Sequence, residues 1–539
     1  VKLFDNRELK DMARAHVDDD DELDQEIEAQ VNEWSTNSTE CFSIQLVKSD
    51  GSEVVTFEPA YTYAIFGEEE AIFGYQGLEI NLRFVAHDLS PSLSISHAKV
   101  FPTQGDVQPT DIKSALKEFL PARALEDDGQ HEVTTGQDWR PPGDKIHSYE
   151  REGKSFEIWS ASLADPTAKQ LLENMQILAP LFIDGGSMLE LEQDWTTARW
   201  KLYTLYEVES DVGPNTSPYV LAGYSTSYRS FTFPDRSETD ITKHDSGLSS
   251  PTQSLQDLLA QPTETTNQFT QKPDLPSPLE LPSRERLSQF LILPPHQSAG
   301  HGQALYNAMY KHLTAPEYVV EFTIEDPNED FDQLRDICDL LRLRQDPKFR
   351  ALGVQGDAVP ADKMSADSEV PTDLIVPLVV RESLREQYKL QARQFARLVE
   401  IQALSQIPLT NRSKARITRK EKSTNKHDKD YFFWRLYTKQ RLYVFNRDQI
   451  SQLEASERVE KLEAALDSVV EGYQEILERI ERIERERPAT SEELSFRDKR
   501  KRKHVVDDDD EEEQRNAETA AEVDDPDRAQ IGSKKPRVA

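Results

Sequence analysis

The sequence predicts an α+β protein. A mixed, mostly antiparallel sheet flanked by helices forms the centre, with a smaller mixed α/β domain before it and a helical domain after it. Three observations lead there. Strand-like runs of alternating or β-branched residues follow one another from Cys41 to Val208 and again from Tyr219. The apolar run Leu291-Ile-Leu passes through a glycine-containing turn straight into a helical pattern. Beyond Pro371 the apolar residues recur at three- and four-residue steps, as on one face of a helix.

Residues 1–30 are polar and acidic, with Asp18-Asp-Asp-Asp-Glu22, and are expected to be disordered. A first domain over 31–150 carries the strands Cys41-Phe-Ser-Ile-Gln-Leu-Val, Glu53-Val-Val-Thr-Phe, Ala71-Ile-Phe-Gly-Tyr and Leu78-Glu-Ile-Asn-Leu-Arg-Phe-Val. A core domain over 151–365 opens with the short strand Phe156-Glu-Ile-Trp. A helix from Asp165 to Phe182 follows, capped by Asp165-Pro-Thr, with Leu171, Leu172, Met175, Leu178 and Leu181 on one face. Strands at Trp200–Val208, Tyr219–Tyr228 and Leu287–Leu293 form an antiparallel meander. Residues 235–284, rich in Ser, Thr, Pro, Asp and Gln, read as a disordered insertion. Ser249-Ser-Pro251 and Ser277-Pro278 within it have the form of proline-directed phosphorylation sites.

In the helical domain, 366–487, one helix is expected from Arg381 to Gln406. Arg412–Lys426 is basic and loop-like. Tyr431-Phe-Phe-Trp-Arg-Leu-Tyr is an aromatic cluster, read as helix–helix core in preference to a base-stacking surface. Ser451-Gln-Leu-Glu454 has the form of a capping box. It would open a helix with Val459, Leu462, Leu466, Val469 and Tyr473 along one stripe, packing on its own domain or on a partner. The tail over 488–539 is charged and expected to be disordered. Its runs Lys499-Arg-Lys-Arg-Lys503 and Lys534-Lys-Pro-Arg537 resemble nuclear import signals.

Charge narrows the partners. Against 99 acids stand 64 bases, for a net charge of −35 over 539 residues. That disfavours a nucleic-acid binder driven by bulk electrostatics and favours a cationic partner, unless the tails carry the acidity for solubility alone. Two cysteines, Cys41 and Cys338, exclude a disulfide framework or a cysteine-rich zinc site, and no metal is expected. There is no secretory signal and no 18-residue apolar run, so no membrane association is expected. The first residue is Val1, so the natural start is expected to lie upstream.

Two short segments carry the chemistry. In Gln297-Ser-Ala-Gly-His-Gly-Gln303, glycines at a strand–helix junction let backbone N–H groups close on an anion at a helix N-terminus. A phosphate-bearing cofactor suits that turn; so does a plain turn with no ligand. The spacing fits neither the P-loop nor the dinucleotide fingerprint. Downstream, Tyr318-Val-Val-Glu-Phe-Thr-Ile is a strand ending in Glu325-Asp326-Pro327-Asn328, ahead of a helix with Phe331, Leu334, Ile337 and Leu340. Both segments sit at carboxyl ends of strands, where α/β sheets gather ligand chemistry. A carboxylate there, partly desolvated near other acids, can take the proton that an ammonium must lose before it attacks an acyl group. Alternatively the two acids cap the next helix.

Taken together, Gln289-Phe-Leu-Ile-Leu-Pro-Pro, the glycine turn, Val320-Glu-Phe-Thr-Ile-Glu-Asp-Pro-Asn-Glu-Asp-Phe, Arg393-Gln-Phe-Ala-Arg-Leu-Val-Glu400 and Phe66-Gly-Glu-Glu-Glu-Ala-Ile-Phe-Gly-Tyr-Gln-Gly-Leu78 resemble the catalytic subunits of type B histone acetyltransferases. These belong to the GCN5-related N-acetyltransferase superfamily. The likeness runs in order from about residue 40 to 408. It implies acetyl transfer from acetyl-coenzyme A to lysines in the tail of free, newly made histone of the H-four type. It also implies a WD-repeat β-propeller partner that holds histone, residence in nucleus and cytoplasm, and a place in chromatin regulation and DNA repair. By the resemblance Glu325 is the general base and Asp326 an acid supporting it. Phe290, Leu291 and Ile292 pair with the pantetheine arm, while Gln297, Ser298, Ala299, Gly300, His301, Gly302 and Gln303 hold the pyrophosphate. Asn328 also touches the cofactor. Glu68, Glu69 and Glu70, with Tyr228, Arg229 and Ser230, line the histone groove. The family has a Glu where Phe182-Ile-Asp184-Gly-Gly-Ser187 places Asp184, one methylene shorter. An acetyltransferase for another amine, or a non-catalytic acidic histone carrier, are the two alternatives.

Overall fold

The computed structural model describes residues 31–103, 107–126, 136–191, 194–232, 281–364, 368–417 and 425–486. The expected acidic N-terminal segment, the two Ser-Pro sites and the basic runs of the tail lie outside the described residues. Two compact units divide the chain at Val469/Val470. The first holds every strand among the described residues; the described part of the second, up to Glu486, is helical.

A four-stranded sheet forms first. Its strands are β1 (Phe42–Val47), β2 (Glu53–Phe57), β3 (Glu79–Val85) and β4 (Pro91–Ser96), in the order β2-β1-β3-β4. Phe42, Ile44 and Leu46 on β1, and Ile80, Leu82 and Phe84 on β3, alternate into the core as a half-buried sheet requires. A single turn of helix, α1 (Tyr63–Phe66), lies between β2 and β3.

The central sheet has six strands: β5 (Asp144–Arg151), β6 (Lys154–Ser162), β7 (Trp200–Val208), β8 (Tyr219–Phe231), β9 (Ser283–Ile292) and β10 (Val319–Ile324). They lie in chain order, antiparallel throughout except for the parallel pair β9–β10. Two of these strands extend beyond what the sequence suggested. Residues 144–150 fall in the expected first domain, where no strand is expected, yet Asp144–Arg151 forms the edge of the central sheet. Its alternation is polar because one face meets solvent, and Glu152 (φ 51°) and Gly153 (φ 78°) turn it tightly into β6. Strand β9 begins at Ser283, inside the expected 235–284 insertion, because its charged residues find partners across the sheet: Arg284 with Glu321, and Glu285 with Arg229.

Helices α2 (Pro166–Met175) and α3 (Leu178–Phe182) replace the single helix expected over Asp165–Phe182. Asp165 caps α2 as read, accepting from Thr167 N at 2.7 Å. Pro180 has no N–H to return to Gln176 and its ring crowds that carbonyl, so the helix breaks and restarts. The two helices join the small sheet to β7 and β8 through one continuous core that includes Phe42, Leu82, Leu172, Met175, Leu202 and Tyr206. Each such side chain contributes about 1.5–3 kcal/mol on burial.

Helix α4 (His301–Thr314) makes the crossover from β9 to the parallel β10, and α5 (Glu329–Leu343) follows. The expected helix Arg381–Gln406 is two: α6 (Leu378–Gln387) and α7 (Ala392–Ser405). The break at Lys389 (φ 52°) is tertiary in origin, since Phe322 N on the edge strand β10 donates to Lys389 O at 2.7 Å. Lys389-Leu390 thus covers a strand edge that would otherwise stand open.

Helix α8 (Lys426–Phe445) buries Tyr431, Phe433, Trp434 and Tyr437, in keeping with the core reading of the aromatic cluster. The Arg393–Glu400 motif is scaffold: Gln394 and Arg397 reach Asp336 on α5 at 2.9 and 2.6 Å, and Glu400 takes Arg441 of α8. The last helix, α9, starts at Ala455. No capping box forms, because Ser451 ends a preceding turn of helix and its hydroxyl goes to Asp448 O.

Candidate functional site

Strands β9 and β10 run together only part of the way. Their register ends with Leu287 opposite Ile324, and Glu325 N makes the last rung to Leu287 O at 2.9 Å. There Asp326 (φ 32°) and Pro327 turn the chain away; Pro327 has no N–H with which to continue the ladder. Strand β9 runs on to Ile292 with β8 along its inner side alone, so its outer edge over Ser288–Ile292 has no strand neighbour among the described residues. An extended arm bearing amides can lie along such an edge as a further strand. Leu291 and Ile292 are buried, and Phe290 meets Phe331 of α5 edge-on at 4.9 Å.

At the end of β9 the chain makes the glycine turn. Ser298 (φ 58°) and Gly300 (φ 81°) both take left-handed backbone, and Gly300 is the N-cap of α4. No side chain caps α4, whereas Asp165 caps α2 and Asn328 caps α5. The first-turn amides of α4 thus keep the capacity to bind an anion, and the helix dipole favours one. Gly302 faces α5: a Cβ there would come within 2.8 Å of Leu334 Cδ1 and 3.8 Å of Phe290 Cε1. Gln297 Nε2 donates to Ile292 O at 2.9 Å and ties the turn to the strand. His301 is buried, with Nδ1 2.7 Å from the Tyr149 hydroxyl and its ring 4.3 Å from that of Phe156. Burial, aided by His296 and Arg151, pushes its imidazole from 6.5 down to about 4, so it is neutral at pH 7. The Arg151 guanidinium hydrogen-bonds the Ala299 carbonyl from behind. Ala299 and Gln303 are half-buried beside it, and Gln297 and Ser298 are exposed.

Glu325 stands at the parting of the strands. Its Oε2 accepts from Ser288 Oγ at 2.8 Å and its Oε1 from the Tyr228 hydroxyl at 3.0 Å, with Arg286 Nη1 3.8 Å from Oε1. The carboxylate is 35% exposed. The sequence reading expected neighbouring acids to crowd it. The partners found are two hydroxyl donors and a guanidinium, and the two hydrogen bonds orient the carboxylate. Asp326 is exposed. Neither acid caps α5, because Asn328 Oδ1 does so by accepting from Phe331 N at 2.9 Å.

The expected groove residues separate. Tyr228 packs at a tilt on Trp200, ring centroids 4.7 Å apart, and shares a sheet face with Arg286. Burial, then the adjacent Glu325 carboxylate, raises its phenol above 10. Ser230 follows on the same face by strand alternation. Arg229 points the other way and is buried against Glu285 at 2.8 Å and the Tyr318 ring at 4.6 Å. Glu68 and Glu69 are exposed. Glu70 is occupied: Oε1 accepts from Thr62 N at 2.5 Å and Tyr63 N at 3.1 Å, closing the start of α1. Asp184 is exposed and accepts from the Tyr63 hydroxyl at 2.9 Å, and its loop is tied to β9 by Gln289 Nε2 on Ser187 O at 2.7 Å. Sequence reasoning missed Ser288, Arg286, Arg151 and Tyr149. For Ser288 a signal was present, since it lies on the expected strand Leu287–Leu293; Arg286 lies one residue before that strand's expected start and alternates onto the same face. Arg151 and Tyr149 lay on a strand that had not been recognised.

The sequence is similar to known proteins over most of its length. A family model described as "Histone acetyl transferase HAT1 N-terminus" matches residues 34–184, and one described as "Fungal HAT1, C-terminal" matches residues 362–407. The chain is 37% identical over 463 residues to the histone acetyltransferase type B catalytic subunit of Aspergillus fumigatus, covering 82% of this chain and 77% of that one. The corresponding protein of Aspergillus oryzae is 36% identical over 467 residues, with coverages of 83% and 86%. That of Emericella nidulans is 38% identical over 476 residues, with coverages of 84% and 91%.

Proposed function

Since the chain belongs to the family of type B histone acetyltransferase catalytic subunits and is an acetyltransferase, we propose that it acetylates lysines in the N-terminal tail of free, newly made histone of the H-four type, with Glu325 as general base. One observation carries the reading: Glu325, held by Ser288 and Tyr228, sits where β10 leaves β9, beside the open edge Ser288–Ile292 that leads to the uncapped turn of α4. The order of strands and the parting of β9 from β10 support a GCN5-related N-acetyltransferase core.

Acetyl-coenzyme A supplies the activated acetyl group. Phe290, Leu291 and Ile292 would hold its pantetheine arm along the open edge, and the amides of Gln297–Gln303 its pyrophosphate. The lysine enters over Tyr228, Ser230 and the acidic loop of Glu68 and Glu69, whose charges attract a basic tail. Glu325 takes the ammonium proton, directly or through one water, and the freed amine attacks the thioester carbonyl without an acyl-enzyme; the C–S bond breaks and coenzyme A leaves as its thiol, taking up the proton the amide nitrogen sheds. No protein thiol is needed. Cys338 is buried on α5, and burial pushes its thiol up to about 12, far from thiolate at neutral pH. Asp184 and Asp326 are the remaining acids of the proposed site, and Asn328 the remaining cofactor contact. A WD-repeat β-propeller is the proposed partner, with nucleus and cytoplasm as the proposed locations.

Glu325→Gln tests the base. Turnover on a histone-tail peptide should fall by about 10²–10⁴-fold while acetyl-coenzyme A affinity stays the same. Near-normal turnover at neutral pH would remove Glu325 from the role. Labelled acetyl donor offered with full-length histones and, separately, with a free polyamine distinguishes the histone enzyme from one acting on small amines.

A further inference from the structure

We infer that Arg151 is a positioning residue for the acetyl donor: by binding the Ala299 carbonyl it turns the Gly300 N–H the opposite way, toward the donor's pyrophosphate. The inference rests on the proposed binding of acetyl-coenzyme A and assigns a part in it to a strand outside the turn.

The β5–β6 hairpin builds the device. Glu152 and Gly153, both at positive φ, form a two-residue turn that sets Arg151 opposite Lys154 at the end of the edge strand. Alternation along β5 puts Tyr149 and Arg151 on one face. That face meets the start of α4: the Tyr149 hydroxyl lies on His301 Nδ1 at 2.7 Å, and the Arg151 guanidinium, 6.0 Å from the Tyr149 ring, lies on Ala299 O.

The Ala299–Gly300 peptide is planar and trans, so its C=O and N–H point in opposite directions. With the C=O bound behind the turn, the N–H faces away from β5 and joins the uncapped amides of α4. The φ of 81° at Gly300 suits glycine, and the missing Cβ leaves the space that Arg151 Nη1 occupies. Two other basic side chains nearby are paired or uncharged. Lys154 pairs with Glu207 at 2.7 Å, and His301 is held neutral.

The test compares two donors. Acetyl-coenzyme A carries the pyrophosphate; S-acetylpantetheine has the same thioester and arm without it. Arg151→Ala and Arg151→Met should raise the KM for acetyl-coenzyme A about tenfold, the scale of one lost charge-assisted hydrogen bond, with kcat within about twofold of wild type. Their kcat/KM on S-acetylpantetheine should match wild type, which also shows that the variants fold. Arg151→Lys should recover part of the loss. An equal loss on both donors, or an unchanged KM for acetyl-coenzyme A, would overturn the assignment. Wild-type protein that fails to bind acetyl-coenzyme A in calorimetry would overturn the donor reading itself and this inference with it.

Discussion

The Tyr228 hydroxyl donates to Glu325 Oε1 at 3.0 Å, linking β8 to the tip of β10 across the intervening strand β9. Ser288 on β9 holds the other oxygen. Three strands thus fix one carboxylate, and the Tyr228 ring is itself braced on Trp200 of β7. A carboxylate fixed in this way loses little further freedom when a ligand meets it.

Tyr228→Phe keeps the ring and removes the donor. Turnover should fall about three- to tenfold, the size of one hydrogen bond, with a smaller change in KM for the tail peptide. Ser288→Ala should act on kcat alike. Steady-state kinetics separate these effects; a kcat unchanged in both variants would mean that the hydroxyls do not orient the base.

The acidic loop should divide by residue. Glu68→Gln with Glu69→Gln should raise the KM for a histone tail and flatten its salt dependence, because both side chains are exposed and free to meet a cation. Glu70→Gln should act first on the fold by weakening the closure of α1, with a loss of about 1 kcal/mol. Thermal melts and kinetics at two ionic strengths read the two effects apart.

His301 predicts acid sensitivity with a definite sign. Its imidazole is lowered from 6.5 to about 4 in the folded protein, chiefly by burial. Between those values the unfolded chain binds the extra proton, so the contribution to stability is complete above about 6.5 and drains away as pH falls toward about 4. Melting temperature should therefore drop across that window, and His301→Gln should flatten the drop. A variant as steep as wild type would show that other groups set the slope.

The cysteines should be dispensable. Burial pushes Cys41 up to about 11 and Cys338 up to about 12, so both are thiols at neutral pH. Cys338→Ala should keep near-normal turnover, and iodoacetamide on the native protein should leave activity intact. Rapid inactivation prevented by acetyl-coenzyme A would contradict this.

The sequence by itself determined the features that local chemistry decides. Alternation marked β1 and β3; the glycines marked the turn before α4; the strand ending in Glu325-Asp326-Pro327 marked a tip where chemistry could sit. Each depends on residues within one turn or one strand of each other, so each is legible without knowing what lies opposite. Alternation alone also separates Tyr228 from Arg229, although the resemblance implies one groove for both adjacent positions. Only the tertiary structure decided the rest. Lys389 breaks a helix because a strand edge at Phe322 takes its carbonyl. Asp144–Arg151 becomes a strand because β6 offers it a ladder, and Arg284 and Glu285 extend β9 because Glu321 and Arg229 answer their charges. Glu70 closes a helix start, and Arg151 reaches a carbonyl, far along the chain, at Ala299. In all of these a polar group is satisfied by a partner outside its own element. Burying such a group unpaired costs more than local propensity can repay, so the partner, not the propensity, sets the conformation.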